Sequence, residues 1–195
     1  GWAAVSGVSG LEGIYNNIGG LARTDNTVII FSRTAWLMGS DININTFGFA
    51  QSIGGSGALG VSIMSYDIGE IPITTTEQPD GGLGTYKPRF TNITVAYSKR
   101  FTKEISGGIG FKVFSESITN VKAQGLGIDA GIQYITTLKS DEKIKKNDVK
   151  FGVSLKNIGP DARYSGDGLS TKLTDPESEI EYTVNQRAAK FNLPT

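Results

Sequence analysis

From Arg89 to Lys156 apolar residues recur at every second position, and Gly, Ser, Lys, Asp and Gln fill the positions between them. Leu126, Ile128, Ala130, Ile132 and Tyr134 alternate with Gly127, Asp129, Gly131 and Gln133, and Val149, Phe151, Val153 and Leu155 alternate with Lys150, Gly152, Ser154 and Lys156. A period of two places successive side chains on opposite faces of a β-strand. One face of such a strand needs an apolar neighbour and the other tolerates charge. A soluble sheet with one wet face meets that requirement, and so does a membrane barrel with lipid outside and a polar lumen.

Composition removes several classes of function. The chain carries 19 basic and 19 acidic residues, so it lacks the strong positive charge of a nucleic-acid binder. It contains no Cys and no His. Disulfides, thiol and imidazole catalysis and most transition-metal sites are thereby excluded, and no cofactor is implied. Apolar content is 38%, below the usual share of about 45–50%. The 26 glycines are roughly twice the usual ~7% share. Many, such as Gly108, Gly110, Gly127, Gly131 and Gly152, fall on the polar face of strand-like runs. Strand glycines mark bends or close approach by another segment. Repeated on one face, they predict a curved wall with something packed against its inside. No apolar run reaches the ~18–20 residues of a membrane helix, and no signal peptide is visible. The chain is expected to be a mature protein or a piece of a longer one.

The pattern predicts an all-β antiparallel meander. Residues 1–26, interrupted by glycines, read as an irregular, plug-like segment with a helical turn near Leu11 to Asn16. Residues 27–195 read as strands at 28–38, 42–53, 58–66 (extending to 74), 90–101, 105–115, 124–138 and 149–156, with a long polar loop at about 157–190. The alternation changes phase between Ile44 and Phe47, which predicts a bulge near Asn45. Connections at 54–57, 102–104 and 139–148 fall on one rim. Those at 39–41, 75–88, 116–123 and 157–190 fall on the other and are mostly longer, as in outer-membrane barrels. Runs of about ten to fourteen residues exceed the ~5–6 typical of soluble sheets and match the ~9–11 needed to cross a bilayer. Tyr66, Phe90, Phe101 and Tyr134, near strand ends, are expected in an interfacial girdle.

Few residues carry chemistry. Gly55 to Gly60 spells GxGxxG, but Leu59, Val61 and Ile63 alternate as a strand where a dinucleotide site needs a helix, so a hairpin turn is expected. Asp41 to Asn45 imitates a calcium loop but has Thr46 and Ser52 where Gly and Glu are required. Asn92-Ile93-Thr94 is a glycosylation sequon by pattern and lies in a strand. The mixed-sign run 139–148 reads as a solvated turn. Lys112 and Asp129 are expected to face one another across a hairpin centred near Asn120, as an inward ion pair. No catalytic or metal-binding constellation emerges, and a non-enzymatic role is expected.

Two segments carry a family resemblance. Phe151-Gly152-Val153-Ser154-Leu155-Lys156-Asn157-Ile158-Gly159-Pro160, followed by Tyr164-Ser165-Gly166-Asp167-Gly168-Leu169, resembles the strand-end signature of the PorV/PorQ outer-membrane family. Gly13 to Ala22 resembles that family's N-terminal NPAGLA segment, shared with FadL-like hydrocarbon transporters, at Asn17, Gly20 and Leu21. It departs at Ile18 and Gly19, where Pro and Ala are usual. Leu193-Pro194-Thr195 resembles the start of the next strand. The resemblance implies Asn17, Gly20, Leu21, Asn157, Gly159, Pro160, Gly166 and Asp167 as motif residues. It also implies an up-and-down transmembrane β-barrel of the FadL type, with about fourteen strands, of which this chain would be the N-terminal half. Members in Bacteroidetes serve the type IX secretion system at the outer membrane, binding and shuttling secreted cargo proteins among other secretion-system subunits. Cargo contact would then fall on loops such as 157–190. The alternatives are a FadL-like transporter of hydrophobic small molecules and a soluble extracellular β-sandwich adhesin.

Overall fold

The computed structural model describes residues 4–37, 39–136, 149–174 and 181–193. The strands are β1 (Thr27–Trp36), β2 (Ile42–Ser52), β3 (Ala58–Asp67), β4 (Ile71–Pro72), β5 (Thr85–Tyr86), β6 (Arg89–Arg100) and β7 (Ile105–Ile118). They continue as β8 (Val121–Thr136), β9 (Val149–Ile158), β10 (Ala162–Ser165), β11 (Ser170–Thr174), β12 (Glu181–Asn185) and β13 (Lys190–Phe191). β1, β2, β3, β6, β7 and β8 pair in that order, antiparallel throughout, and β8 then pairs with β9 along one half and with β10 along the other. β10 in turn pairs with β13, while β4–β5 and β11–β12 are separate two-stranded ribbons. The fold is all-β and antiparallel. No further strand pairs with the outer edge of β1 or of β9 among the described residues.

The predicted strands appear with small shifts, and several expectations are corrected. No bulge occurs at Asn45, because β2 keeps an unbroken register with both β1 and β3. The phase change there is instead an exchange of polarity between the faces. The segment 116–123 is not a long loop: strand pairing continues to Ile118↔Val121, leaving a two-residue turn at Thr119 and Asn120. Thr119 adopts φ 48°, unusual for a β-branched residue. The described part of 157–190 is not irregular, since β9 runs on to Ile158 and β10, β11 and β12 follow. The third strand ends at Asp67, short of 74. The charged link 139–148 and Met38 lie outside the described residues.

Alternation assigns the two faces. The inner face of the sheet carries Gly48, Ala50, Ala58, Gly60, Ser62, Thr94, Ala96, Ser98, Ser106, Gly108 and Gly110, all small, and residues 4–23 lie against it. This segment folds as a 3-10 turn (Gly10–Glu12), a one-turn helix α1 (Gly13–Asn16) and a second 3-10 turn (Ile18–Arg23). Its large side chains fill the space the small residues leave. Leu11, Ile14, Ile18 and Leu21 are all at most 3% exposed and cluster with Ala50, Ala58 and Ala96. Ile18 sits over Gly108 and Gly110 so closely that a Cβ at either position would lie 2.6 Å from it. Burying four aliphatic side chains is worth about 1.5–3 kcal/mol each, more than so short a helix supplies by itself.

The outer face is the reverse. Phe47, Ile63, Ile93, Val113 and Leu126 form one cross-strand row, and Val61, Val95, Phe111 and Ile128 form the next. Phe31, Phe111, Leu126, Ile132, Phe151, Val153 and Leu155 are each more than half exposed. Beyond the row at Phe47 the outward positions turn polar, at Asn45, Ser65, Thr91, Ser115 and Gln124, while the inward ones turn apolar, at Ile44, Tyr66 and Phe90. Tyr66 and Phe90 therefore do not join an outer girdle: they share the inner face and meet edge to face at 5.5 Å. Phe101 and Tyr134 are exposed on the outer face, where Phe101 covers Gly107.

Replacing Ile18 by Ala leaves a void between Gly108 and Gly110 and should cost about 2–5 kcal/mol in denaturant unfolding. Gly108→Val should displace the N-terminal segment, read as new protease cleavage within residues 4–23 ahead of cleavage in the strands.

Candidate functional site

Two of the largest buried polar side chains, Asn17 and Gln133, meet where the N-terminal segment lies against β8 and β9. Asn17, fully buried, ends α1 in extended conformation and caps the following 3-10 turn by accepting from the Gly19 amide at 3.0 Å. Its Nδ2 donates to the carbonyls of Val5 (2.9 Å), Ile132 (3.0 Å) and Val153 (3.2 Å). One side chain therefore ties two turns of the segment to two strands. Gly131 leaves room for it, since a Cβ there would fall 2.0 Å from Asn17 Oδ1. Gln133, also fully buried, donates from Nε2 to the carbonyls of Val5 (3.0 Å) and Val8 (2.9 Å). Gly20 lets the Val8 carbonyl pass, and Leu21 packs against Gly60. Gln133 Oε1 and the hydroxyl of its cross-strand partner Ser106 are buried without a partner.

One strand further, Lys112 Nζ lies 2.7 Å from Asp129 Oδ2, with side-chain exposures of 12% and 2%. The two residues are not directly opposite. Lys112 pairs with Gly127 and Asp129 with Gly110, so the ion pair runs diagonally, through space that the two glycines leave free. Asn157 closes the group, as its amide donates to Asp129 Oδ1 at 2.7 Å and its Oδ1 accepts from Lys112 at 2.6 Å. Asn157 takes φ 57° where the β8–β9 register shifts. The Lys112–Asp129 pair thus fixes the bulge that ends β9. Gly159 passes against β8 so closely that a Cβ would lie 2.0 Å from the Leu126 carbonyl oxygen, and Pro160 follows. Lys156 donates to the Tyr15 carbonyl of α1.

β10 then re-enters the sheet. Tyr164 donates to the Glu116 carboxylate and stacks on Phe191 at 5.3 Å, and Phe191 lies 6.4 Å from the buried Phe114. The hydrogen bond to Glu116, with burial second, pushes the Tyr164 hydroxyl up to about 12. Gly166, at φ 140°, and Gly168 dock on the Thr119–Asn120 turn, Gly168 donating to the Asn120 carbonyl at 3.3 Å. Asp167 opens the 3-10 turn between these glycines and the β11–β12 ribbon. The motif residues therefore divide between two places: Asn17, Gly20 and Leu21 seat the N-terminal segment, whereas Asn157, Gly159, Pro160, Gly166 and Asp167 shape the path from β9 to β11. Gln133, Ser106 and the aromatic group Phe114–Tyr164–Phe191 escaped the reading of the sequence. Gln133, Ser106 and Phe114 sit in runs whose alternation is satisfied without them, and Tyr164 and Phe191 sit in strands too short to alternate.

Chemically, the arrangement binds and positions. Apart from Gln133 Oε1 and the Ser106 hydroxyl, the polar side chains named here are engaged with backbone groups and with one another, and among the described residues no three His, Cys, Asp or Glu side chains cluster as a metal site would require. No helix is long and apolar enough to cross a membrane, which leaves strands out of account. Neither family models, nor curated proteins, nor solved structures match the chain.

Lys112→Met and Asp129→Leu should each cost about 3–5 kcal/mol by stranding a buried charge, and the double variant should cost far less than their sum. A denaturant double-mutant cycle measures this. Tyr164 is stabilising in its protonated form, so its contribution is complete below the ordinary tyrosine value near 10 and is lost as pH rises through about 12. An ultraviolet tyrosinate titration should show one late-titrating group that Tyr164→Phe removes.

Proposed function

We propose that this chain forms wall strands of an outer-membrane β-barrel of the FadL-like type, with a PorV-like, non-enzymatic role in type IX secretion. In that role it binds secreted cargo or partner proteins at the cell surface. The observation that carries the membrane part is the outer face. Its apolar rows cross the whole sheet, and the described residues lay no second sheet over them. A bilayer supplies the missing apolar neighbour. The spans fit as well: Ile105 to Val113 on β7 and Leu126 to Tyr134 on β8 are nine residues each, within the ~9–11 of a tilted membrane strand. The polar outward row at Asn45 to Gln124 marks where hydrocarbon would end. In a bilayer the free edges of β1 and β9 need ladder partners, so the proposal includes further strands that close the wall.

The inner face favours binding over free conduction, because the N-terminal segment lies across β2, β3, β6, β7, β8 and β9 with residues 17–22 buried. The path from β9 onward offers the surface for a partner. Beyond the Gly166–Gly168 turn, the β11–β12 ribbon stands on a backbone bond from Gln186 to the Leu169 carbonyl (3.0 Å), and it exposes Leu173, Tyr182 and Val184. Leu173 and Tyr182 are cross-strand partners and Val184 shares their face. Isolated two-stranded ribbons gain little stability by themselves, so an apolar ribbon face is suited to burial against another protein.

One observation favours the transport of hydrophobic small molecules as a second reading. At the end of the sheet away from the 54–57 turn, Trp36, Ile42, Ile44, Tyr66 and Ile68 line an apolar cavity of about 320 Å³. A detergent or alkyl chain found there, with release depending on movement of residues 4–23, would support that reading over the first.

Ile132→Arg places a charge among the most exposed outward positions and should cost about 2–4 kcal/mol in a bilayer, read as loss from the carbonate-resistant membrane fraction. Normal insertion would remove the membrane assignment. Replacing residues 170–185 by a short Gly-Ser link, which spares β10 and β13, should leave insertion intact and reduce surface delivery of cargo. Unchanged delivery would exclude the ribbon from the mechanism.

A further inference from the structure

We infer that the outer face at the β9–β10 break is a binding site for one anionic phospholipid, its phosphate held by Arg163, Lys122 and Lys190 and an acyl chain lying in the groove beneath. This rests on the membrane reading above and adds a ligand to it. The groove exists because β9 stops at Ile158 and β10 begins only at Ala162. The bulge at Asn157 and the departure of the chain from the edge of β8 at Gly159 and Pro160 leave an indentation of about 330 Å³ in the outer surface. Phe111, Val113, Leu126, Ile128, Ile158 and Pro160 line it. A second outward indentation, of about 390 Å³ at Gly107, lies over an unbroken ladder and has Lys99 beside it rather than a group of three cations. At the β9–β10 break the ladder is interrupted, and in a bilayer the interrupted backbone requires cover.

The charges follow from register. Ala162 and Tyr164 face inward, the first 3% exposed and the second stacked on Phe191, so Arg163 and Ser165 face outward. Ser165 pairs with Lys122 and Arg163 with Lys190, which brings three cations together on the outer face. Asp161 lies 3.9 Å from Lys190, a loose pairing with both side chains about half exposed. From Leu126 in the groove to Lys122 is four residues along β8, about 13 Å at ~3.3 Å per residue. The cations thus stand just past the polar residue Gln124, at the level of the headgroup layer that borders the hydrocarbon. Cations above an apolar groove complement an amphiphile with a phosphate above its chain, and guanidinium is well suited to phosphate oxygens.

The test uses the full chain purified from membranes in mild detergent and examined by native mass spectrometry with phosphatidylglycerol, phosphatidylcholine or inorganic phosphate. The expected result is one retained phosphatidylglycerol, weaker retention of phosphatidylcholine, and no displacement by inorganic phosphate at equal concentration. Arg163→Gln with Lys122→Gln should lower retention roughly tenfold with an unchanged circular dichroism spectrum. Lys99→Gln, outward-facing near the opposite rim, should have no effect. Equal retention of the two lipids, unchanged retention in the double variant, or displacement by phosphate alone would overturn the lipid site while leaving the membrane assignment standing. Failure of the wild-type chain to enter the membrane fraction would overturn both.

Discussion

The packing of large N-terminal side chains into small residues on one face of the sheet is the contact on which the rest of the molecule depends. A strand rich in glycine pairs weakly and packs nothing by itself. Here the wall yields space and the segment fills it: Leu11 against Gly48, Ile14 and Leu21 against Gly60, and Ile18 against Gly108 and Gly110. Neither part has a core alone. The segment is too short to hold a helix unaided, and the inner face has little to bury except against the segment. This mutual dependence explains the polar residues among the apolar ones. Asn17 and Gln133 donate to the carbonyls of Val5 and Val8, ahead of the first 3-10 turn, and Asn17 also to those of Ile132 on β8 and Val153 on β9, so that the closely approaching backbones remain hydrogen-bonded.

The same economy of space governs the path out of β9. Gly127 and Gly110 admit the diagonal Lys112–Asp129 pair, the pair captures Asn157 in a left-handed conformation, and the resulting bulge lets Gly159 press against β8. The chain then re-pairs as β10 and is held by Tyr164 on Glu116 and Phe191. A buried ion pair contributes little net stability as a rule. Its consequence here is directional: it sets where the wall is interrupted and therefore where the β11–β12 ribbon projects. The inner seat and the outer projection are joined through β8, which holds Asn17 from one end and faces β10 at the other.

Much of the strand plan was legible because period-two alternation is a local property. Leu126 to Tyr134 and Phe151 to Leu155 alternate cleanly, and their strands stand within a few residues of the expected bounds. The glycines of β7 and β8 also announced that something approaches the inner face. The errors have physical causes. The phase change between Ile44 and Phe47 has the pattern of an inserted residue, whereas the two faces exchange polarity with no change in register. The turn at Thr119 and Asn120 was hidden because Thr at positive φ is a poor turn signal. Segment 157–190 lacked alternation over any long run, so its short strands did not stand out from a loop.

By itself the sequence determined that this chain forms antiparallel strands with one apolar and one glycine-rich face, and that imidazole or thiol chemistry is absent. Those conclusions follow from residue type and spacing, which act over a few neighbours. Only the tertiary structure decided what the glycines accommodate, which carbonyls Asn17 and Gln133 reach, that Lys112 meets Asp129 diagonally, and that Arg163, Lys122 and Lys190 converge above an apolar groove. Each of these joins residues far apart in the chain through the register of neighbouring strands, and register is fixed by the assembled sheet rather than by any one strand within it.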